Sequence, residues 1–203
     1  MINKEKIILH LCADIGTDSK PYLDAGYTVI RIGEKEDVRK CIPNLPKEVY
    51  GIIANPPCTM FSFCRLGAST PRDLVTAVAI LDACIKVIQF YQYGIKNHAQ
   101  KKPPLKFWVL ENPYKAMTKW FIGEPYKVFH PWQYGDMWFK ETALWGNFNM
   151  PKQANFLKPE NPKLFKMSIS TLRKLHGVEG YSRQELRSFG PPKFWKSFFE
   201  VNR

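Results

Sequence analysis

Residues 49–62 read VYGIIANPPCTMFS, and this stretch decides the fold. Its first seven residues, 49–55, are almost continuously apolar, which is typical of a parallel strand buried on both faces. Pro56 and Pro57 end the strand, because proline donates no backbone hydrogen bond and fixes φ. Cys58 is therefore predicted on a rigid loop at a strand's carboxyl end, where open α/β sheets bind ligands. That position suits a nucleophile, although a packed, inert loop cysteine is the commoner case.

Apolar runs on both sides of this stretch predict an α/β fold with a doubly wound, mostly parallel sheet. A first helix is predicted near Ser19, with Pro21 in its first turn and Gly26 at its end. A second helix opens at Thr70 and carries an apolar stripe at helical spacing until shortly before Gly94. The predicted strands are residues 6–11, 27–32, 49–55, 105–110 and 142–148.

The composition indicates one globular domain in a reducing compartment. The chain has 203 residues, of which 45% are hydrophobic, enough for a sizeable core. Five cysteines without a CxxC pair argue against a disulfide framework or a zinc ribbon and favour a cytoplasmic protein. The four histidines show no ligand spacing, so no metal site is predicted. No signal-peptide pattern and no apolar run near 18 residues is found, so no membrane span is expected.

The charge of the chain favours a nucleic-acid partner. The net charge is +12, and residues 151–203 alone hold 11 Lys and Arg against 4 Asp and Glu. A basic surface attracts polyphosphates through counterion release, which makes nucleic acid the favoured partner. Charge that serves solubility, or that binds an acidic protein, is the alternative.

Three polar segments are predicted along one edge of the sheet: residues 12–17 with Gly16, Cys58, and Glu111. A loop between a first strand and a first helix approaches nucleotide-like cofactors closely, although it can also be a plain tight turn. Carboxylates after the second strand could accept hydrogen bonds from ribose hydroxyls, or could simply be solvated. Glu111 could likewise be only a strand-end cap.

The motifs at these positions resemble those of the DNA cytosine-5 methyltransferases. Residues 56–62, PPCTMFS, are similar to the Pro-Pro-Cys-Gln-x-Phe-Ser motif of that family, and Glu111-Asn112 is similar to its Glu-Asn motif. Residues 11–27 resemble its first motif, and Tyr134-Gly135 with Lys140-Glu141 resembles its later Tyr-Gly…Arg-x-Arg segment. The motifs occur in family order between about residues 7 and 148, as in the small, phage-borne branch.

The resemblance implies a Rossmann-like fold of the S-adenosylmethionine-dependent methyltransferase type and methyl transfer to C5 of cytosine in DNA. Cys58 would attack C6 to form a covalent adduct. Glu111 would hold N3 and favour its protonation, and Asn112 would position the loop. A cytosine in duplex DNA would have to be flipped into the pocket.

The resemblance also implies which residues bind the cofactor and the substrate. The expected contacts to S-adenosylmethionine are Leu11, Asp14, Ile15, Gly16, Thr17, Glu34, Asp37, Val38, Asn55 and Pro57. The expected contacts to the substrate are Ser62, Lys140 and Thr142.

The chain departs from the family pattern at several of its motif positions. These departures are Cys12, Asp14, Gly33, Thr59 and Thr142. They motivate an alternative of a different class, a degenerate member that binds nucleic acid or a host protein without catalysis. The sequence Asn-Pro-Pro is also similar to amino-methyltransferases, but those have an aromatic residue in place of Cys58.

A separate target-recognition domain is not visible. Residues 1–150 are predicted as the catalytic core, 151–180 as a basic loop or small subdomain, and 181–203 as a C-terminal part in which a closing helix spans about residues 187–199. Target recognition would then depend on the basic loop, depend on a partner protein, or be absent. RNA and free nucleotides are therefore alternative substrates to DNA.

Overall fold

The computed structural model describes residues 3–13, 15–93, 105–160 and 166–203, without the side chains of Glu34, Leu66 and Gln184. Two of the residues predicted to contact the cofactor are not fully described. Asp14 lies outside the described residues, and for Glu34 only the backbone is described.

One sheet of six strands organises the described part of the chain, in the order β2-β1-β3-β4-β6-β5. Every strand pair is parallel except those of β6, which is antiparallel to both of its neighbours. The strands are β1 (Ile7–Leu11), β2 (Thr28–Ile32), β3 (Gly51–Ala54), β4 (Phe107–Pro113), β5 (Lys127–Phe129) and β6 (Thr142–Asn147). The chain is thus an α/β protein with a mostly parallel sheet, compatible with a Rossmann-like fold.

Helices cover both faces of this sheet. The α-helices are α1 (Lys20–Asp24), α2 (Leu74–Tyr93), α3 (Thr118–Ile122), α4 (Ile169–His176), α5 (Arg183–Ser188) and α6 (Pro192–Asn202). Short 3₁₀ turns lie at Asn3–Glu5, Glu34–Glu36, Ile42–Asn44, Phe63–Gly67 and Pro131–Tyr134.

The two faces of the sheet form two separate hydrophobic clusters, because successive side chains of a strand point to opposite faces. Leu9, Ile52 and Leu110 belong to the cluster that includes α2, and we call this side the α2 face. Ile8, Ile53, Val109 and Leu144 belong to the cluster formed with Tyr22 of α1 and with Phe194 and Phe198 of α6. We call this second side the α6 face.

Within the described ranges, α2 is the one helix that is long and apolar enough to cross a membrane by length and composition. A core helix can have the same length and composition. Leu81, Cys84, Val87 and Ile88 of α2 are buried in the cluster of the α2 face.

The strand predicted to end at residue 110 extends to Pro113, so Glu111 and Asn112 lie within β4 and not after it. The physical reason is β6, which pairs antiparallel with β4 and aligns Glu111 with Leu144 and Asn112 with Ala143. β6 itself was predicted, but β5 and α3 were not. These two are short elements of three and five residues with little pattern of their own.

The closing helix predicted over residues 187–199 is in fact two helices. α5 ends at Ser188 and α6 begins at Pro192. The prediction missed this break although Pro191 and Pro192 indicate it. Proline disfavours helical geometry in the residue before it and is best tolerated in the first turn of a helix.

The segment predicted as a basic loop or small subdomain contains α4, which packs beside α5. Leu172 and Leu186 from these helices are fully buried in a third hydrophobic cluster with Trp138 and Phe189. Ile15, from the loop after β1, packs against the same cluster. The α4–α5 pair is therefore attached to the carboxyl edge of the sheet.

The packing of α6 on the sheet predicts a large effect of truncating its central aromatic residue. Phe198 is fully buried and contacts the rings of Phe107 and Phe148. We expect Phe198→Ala to lower the free energy of unfolding by about 3–5 kcal/mol in urea denaturation. Val201, on the exposed side of the same helix, is the control, and Val201→Ala should stay within about 0.5 kcal/mol. Equal small losses for both variants would contradict the packing of α6.

Candidate active site

The candidate site lies where β1 and β3 end. These two parallel strands are neighbours, but the chain leaves β1 toward β2 on one side and continues from β3 toward β4 on the other. A crevice opens at such a switch point, outside the carboxyl ends of the strands, and open α/β sheets bind their ligands there.

Asn55 is the centre of a buried polar cluster at this edge. Its Nδ2 donates to Oδ2 of Asp18 at 2.8 Å and to Oε2 of Glu111 at 3.2 Å. Its Oδ1 lies 2.7 Å from Nε2 of His10. Because both amide hydrogens go to carboxylates, the amide oxygen is the acceptor, and Nε2 of His10 carries a proton. One side chain thus joins β1, β3, β4 and the loop before α1.

The strand register explains why Asn55 reaches Glu111. Ala54 of β3 is aligned with Leu110 of β4, so the next residues of the two strands are also neighbours. Asn55 lies two positions after Ile53, and Glu111 lies two positions after Val109. Ile53 and Val109 both belong to the α6 face. Asn55 and Glu111 therefore point to the same side of the sheet.

Glu111 and Lys140 form an ion pair, with Nζ of Lys140 3.7 Å from Oε1 of Glu111. Only 18% of the lysine side chain and 13% of the glutamate side chain are exposed. Burial lowers the pKa of Lys140, but the charges of Glu111, the Cys58 thiolate and Asp18 outweigh it, so its pKa is raised. Within the described residues, Oε1 of Glu111 accepts no hydrogen bond. That oxygen is buried and faces the ammonium group of Lys140.

Cys58 opens the turn that follows the two prolines and is half-buried. Its carbonyl oxygen accepts hydrogen bonds from the backbone N–H groups of Phe61 and Ser62 at 3.0 and 2.9 Å. Burial raises the pKa of the thiol and Glu111 raises it further, whereas the positive charges of Lys140 and Arg187 lower it, with a raised pKa as the result. The thiol, the Glu111 carboxylate and the Lys140 ammonium therefore act on one another electrostatically.

Asn112 holds the backbone of the Pro-Pro-Cys loop. The residue is 1% exposed, and its Nδ2 donates to the carbonyl oxygen of Pro56 at 2.8 Å. Its Oδ1 accepts a hydrogen bond from the hydroxyl of Thr118 at 2.8 Å. Both polar ends of the side chain are thus used within the protein, which gives Asn112 a positioning contact.

Asp18 is a second buried carboxyl group of the cluster, 5% exposed. Burial raises its pKa to about 7, and the charge of Glu111 contributes, while Lys140, Thr17 and Asn55 act in the opposite direction. The loop between α5 and α6 closes over it. A side chain at Gly190 would meet Oδ1 of Asp18 at 1.6 Å, so only glycine fits there.

The described residues among the predicted cofactor contacts lie at or after the ends of β1, β2 and β3. Leu11 ends β1 in the core and Val38 is buried in the cluster of the α2 face, whereas Pro57 is exposed. The hydroxyl of Thr17 accepts a hydrogen bond from the backbone of Gly190. Asp37 is paired with Arg39, with 2.8 Å between Oδ1 and Nε.

The backbone conformation of Gly16 would allow a ligand to approach closely, but the space beside this glycine is occupied. Gly16 has φ of +75°, which other residues rarely adopt. The space beside it is filled by Arg31, because a Cβ there would lie 2.7 Å from Nη1. That guanidinium donates to the carbonyl oxygen of Ile15 at 3.2 Å. The side chain of Arg31 therefore fills the space beside Gly16.

The three residues predicted to contact the substrate make different contacts in the structure. Lys140 belongs to the polar cluster. Ser62 caps the 3₁₀ turn that follows Cys58 by accepting a hydrogen bond from the backbone of Cys64. Thr142 is fully buried, and its hydroxyl donates to the carbonyl oxygen of Lys140 at 3.1 Å. It thus holds the backbone next to Lys140.

Three residues of the site were not predicted: His10, Asp18 and Arg187. His10 had a signal, because a polar residue within an otherwise buried strand requires a partner. Nδ1 of His10 lies 2.8 Å from the hydroxyl of Ser19. Asp18 meets Asn55, and the charge of Arg187 lowers the pKa of Cys58, only in the folded chain, which residue spacing does not reveal.

Comparisons with known proteins identify no family for the chain. No protein-family model matches the chain. No curated protein matches it either. In the ranges that the structure describes, no group of three or more His, Cys, Asp or Glu side chains could hold a metal ion.

The buried state of Asp18 predicts a pH dependence of stability. Its pKa of about 7 lies above the ordinary value of 3.8, so the folded state keeps a proton that the unfolded chain has released. The contribution of Asp18 to the free energy of unfolding should therefore fall as the pH rises from about 4 to about 7. Asp18→Asn keeps an acceptor for Asn55 but cannot titrate, so we expect a smaller slope over this interval in urea denaturation. The exposed Asp24→Asn is the control and should keep the wild-type slope. An unchanged slope in Asp18→Asn would show that the pKa of Asp18 is not raised in the folded state.

Proposed function

We propose that the chain transfers a methyl group to C5 of cytosine in DNA through a covalent adduct with Cys58. The observation that carries the proposal is the electrostatic interaction of Cys58 with Glu111 and Lys140 at the carboxyl edge of the sheet. A thiol and a carboxylate with one unbonded oxygen act on each other there. The motif resemblance and the basic charge of the chain add support.

Cys58 would supply the nucleophile. C5 of cytosine is a poor nucleophile until a thiolate adds to C6 and makes the ring an enamine. The thiol must lose its proton for this step. The raised pKa of Cys58 opposes this loss, whereas the positive charge of Lys140 favours it. When S-adenosylmethionine is bound, it supplies an electrophilic methyl group for C5. The C5 proton then leaves to a base, the S–C6 bond breaks, and the ring regains its double bond.

Glu111 would hold the N3 edge of the base. Its Oε2 is fixed by Asn55, which leaves Oε1 for a ligand. A proton shared between Oε1 and N3 draws electrons from C6 and assists thiolate addition. Lys140 lies beside this oxygen and would also be near the exocyclic groups of the pyrimidine.

The residues at the ends of β1 and β2 fit the cofactor only in part. The positive φ of Gly16 and its position at the switch point fit a nucleotide-like group. Arg31 would have to move from the space beside Gly16, and Asp37 would have to exchange Arg39 for a ligand. Ile15, Gly16, Thr17, Asp37, Val38 and Asn55 are the described residues that would line the site.

The filled space beside Gly16 favours one second candidate, a protein of this fold that binds nucleic acid without methyl transfer. Titration calorimetry separates the two candidates, because a binder of this kind gives no heat with S-adenosylmethionine.

The test is incorporation of a labelled methyl group into DNA, RNA and dCMP by the wild type and two variants. We expect methylation of DNA at C5, detected by mass spectrometry as 5-methylcytosine. Cys58→Ala should lower the rate by at least about 10³-fold, because it removes the nucleophile. Glu111→Gln should lower it by about 10²–10⁴-fold, because it removes the acid–base group.

Cys64 provides a matched control, since it is an exposed cysteine in the turn that follows Cys58. Cys64→Ala should keep the wild-type rate. Full activity in Cys58→Ala would contradict the proposal. Methyl transfer to RNA or dCMP but not to DNA would show that DNA is not the substrate.

A further inference from the structure

Three aromatic side chains form an exposed patch near the candidate site. Trp120 is 65% exposed, Phe121 46% and Phe63 39%. The rings of Phe63 and Trp120 lie 5.6 Å apart, and Phe121 rests on the buried ring of Phe61 at 5.5 Å. We call these three residues, Phe63, Trp120 and Phe121, the aromatic patch. Large aromatic side chains grouped at a surface are typical of a binding site.

The patch is rigidly connected to Cys58. Phe63 directly follows the turn that the carbonyl oxygen of Cys58 organises. An isolated bridge pairs Ser62 with Ala116, and the backbone N–H of Met117 donates to the carbonyl oxygen of Phe61 at 3.0 Å. These bonds fasten the segment that carries α3 to the loop of the cysteine. The patch is therefore held next to the turn that Cys58 opens.

The segments that carry the patch are basic. Residues 56–72 and 112–122 contain four cationic residues and no Asp or Glu. Two of them form ion pairs with acids from other segments, Lys115 with Glu141 and Lys119 with Glu124. The side chains of Lys115 and Glu124 in these pairs are largely exposed. Exposed ion pairs contribute little to stability, so phosphate groups can replace the acids.

We propose that the aromatic patch stacks on unpaired bases next to the target base, so that the chain prefers single-stranded nucleic acid. Every base has a π-face that stacks on aromatic rings, and cationic side chains around the rings bind the phosphates. In a duplex these faces are hidden by neighbouring base pairs. The target base at Cys58 comes from the proposed function, whereas stacking on the patch depends only on the exposed rings and the charges around them.

The test is the binding of a fluorescein-labelled 12-nucleotide single strand and of its duplex, measured by fluorescence anisotropy. All proteins carry Cys58→Ala, so that binding is measured without catalysis. We expect Trp120→Ala to weaken binding of the single strand by about 5- to 100-fold, because one base loses its stacking partner. Trp120→Phe should restore much of the loss. Binding of the duplex should change by less than twofold.

Tyr93 provides a matched control. It is 74% exposed at the end of α2, which leads back to the amino edge of the sheet, away from Cys58. Tyr93→Ala should bind the single strand as the parent does. Circular dichroism melting would show that Trp120→Ala is folded.

Several outcomes would overturn the inference. These are unchanged binding in Trp120→Ala, an equal loss for the duplex, or a patch that is covered by a second copy in sedimentation of the protein alone. Loss of single-strand binding in Trp120→Ala with no methyl transfer by the wild type would keep the stacking surface and reject the proposed function. Methyl transfer with unchanged binding would do the reverse.

Discussion

The amide of Asn55 imposes the constraint on which the candidate site depends. It donates its two hydrogens to the carboxyl groups of Asp18 and Glu111, and its oxygen accepts a hydrogen bond from Nε2 of His10. An amide is neutral, so it can bridge two carboxyl groups without adding charge to a buried place. Burial raises the pKa of Asp18, and the nearby charge of Glu111 raises it further. The position of Lys140 next to Glu111 balances the remaining charge.

The alternation of strand β4 explains why glutamate and asparagine are adjacent at this site. Glu111 points to the α6 face and enters the polar cluster, whereas Asn112 points to the α2 face and binds the carbonyl oxygen of Pro56. Glu111 therefore belongs to the polar cluster, and Asn112 fixes the loop of Cys58. The antiparallel strand β6 extends β4 far enough to hold both residues and brings Lys140, two residues before its own start, to Glu111.

The sequence predicted the parts of the fold that have a strong local pattern. The buried runs of β1, β2 and β3 and the apolar stripe of α2 have such patterns, and the prolines mark where β3 ends. β5, α3 and α4 are short or polar and depend on packing with distant residues, so local preference does not specify them. The same holds for the site. Cys58 and Glu111 could be placed at one edge because parallel strands end together, whereas Asp18 reaches Asn55 across 37 residues only in the folded chain.

The most direct test of the pairing of Cys58 with a pyrimidine is covalent trapping on DNA that contains 5-fluorocytosine. Fluorine at C5 cannot leave as a proton does, so the S–C6 bond persists after methyl transfer. With S-adenosylmethionine present, we expect a stable protein–DNA adduct whose peptide carries the modification at Cys58. The absence of any adduct on DNA, or an adduct on another cysteine such as Cys64, would contradict the proposed role of Cys58.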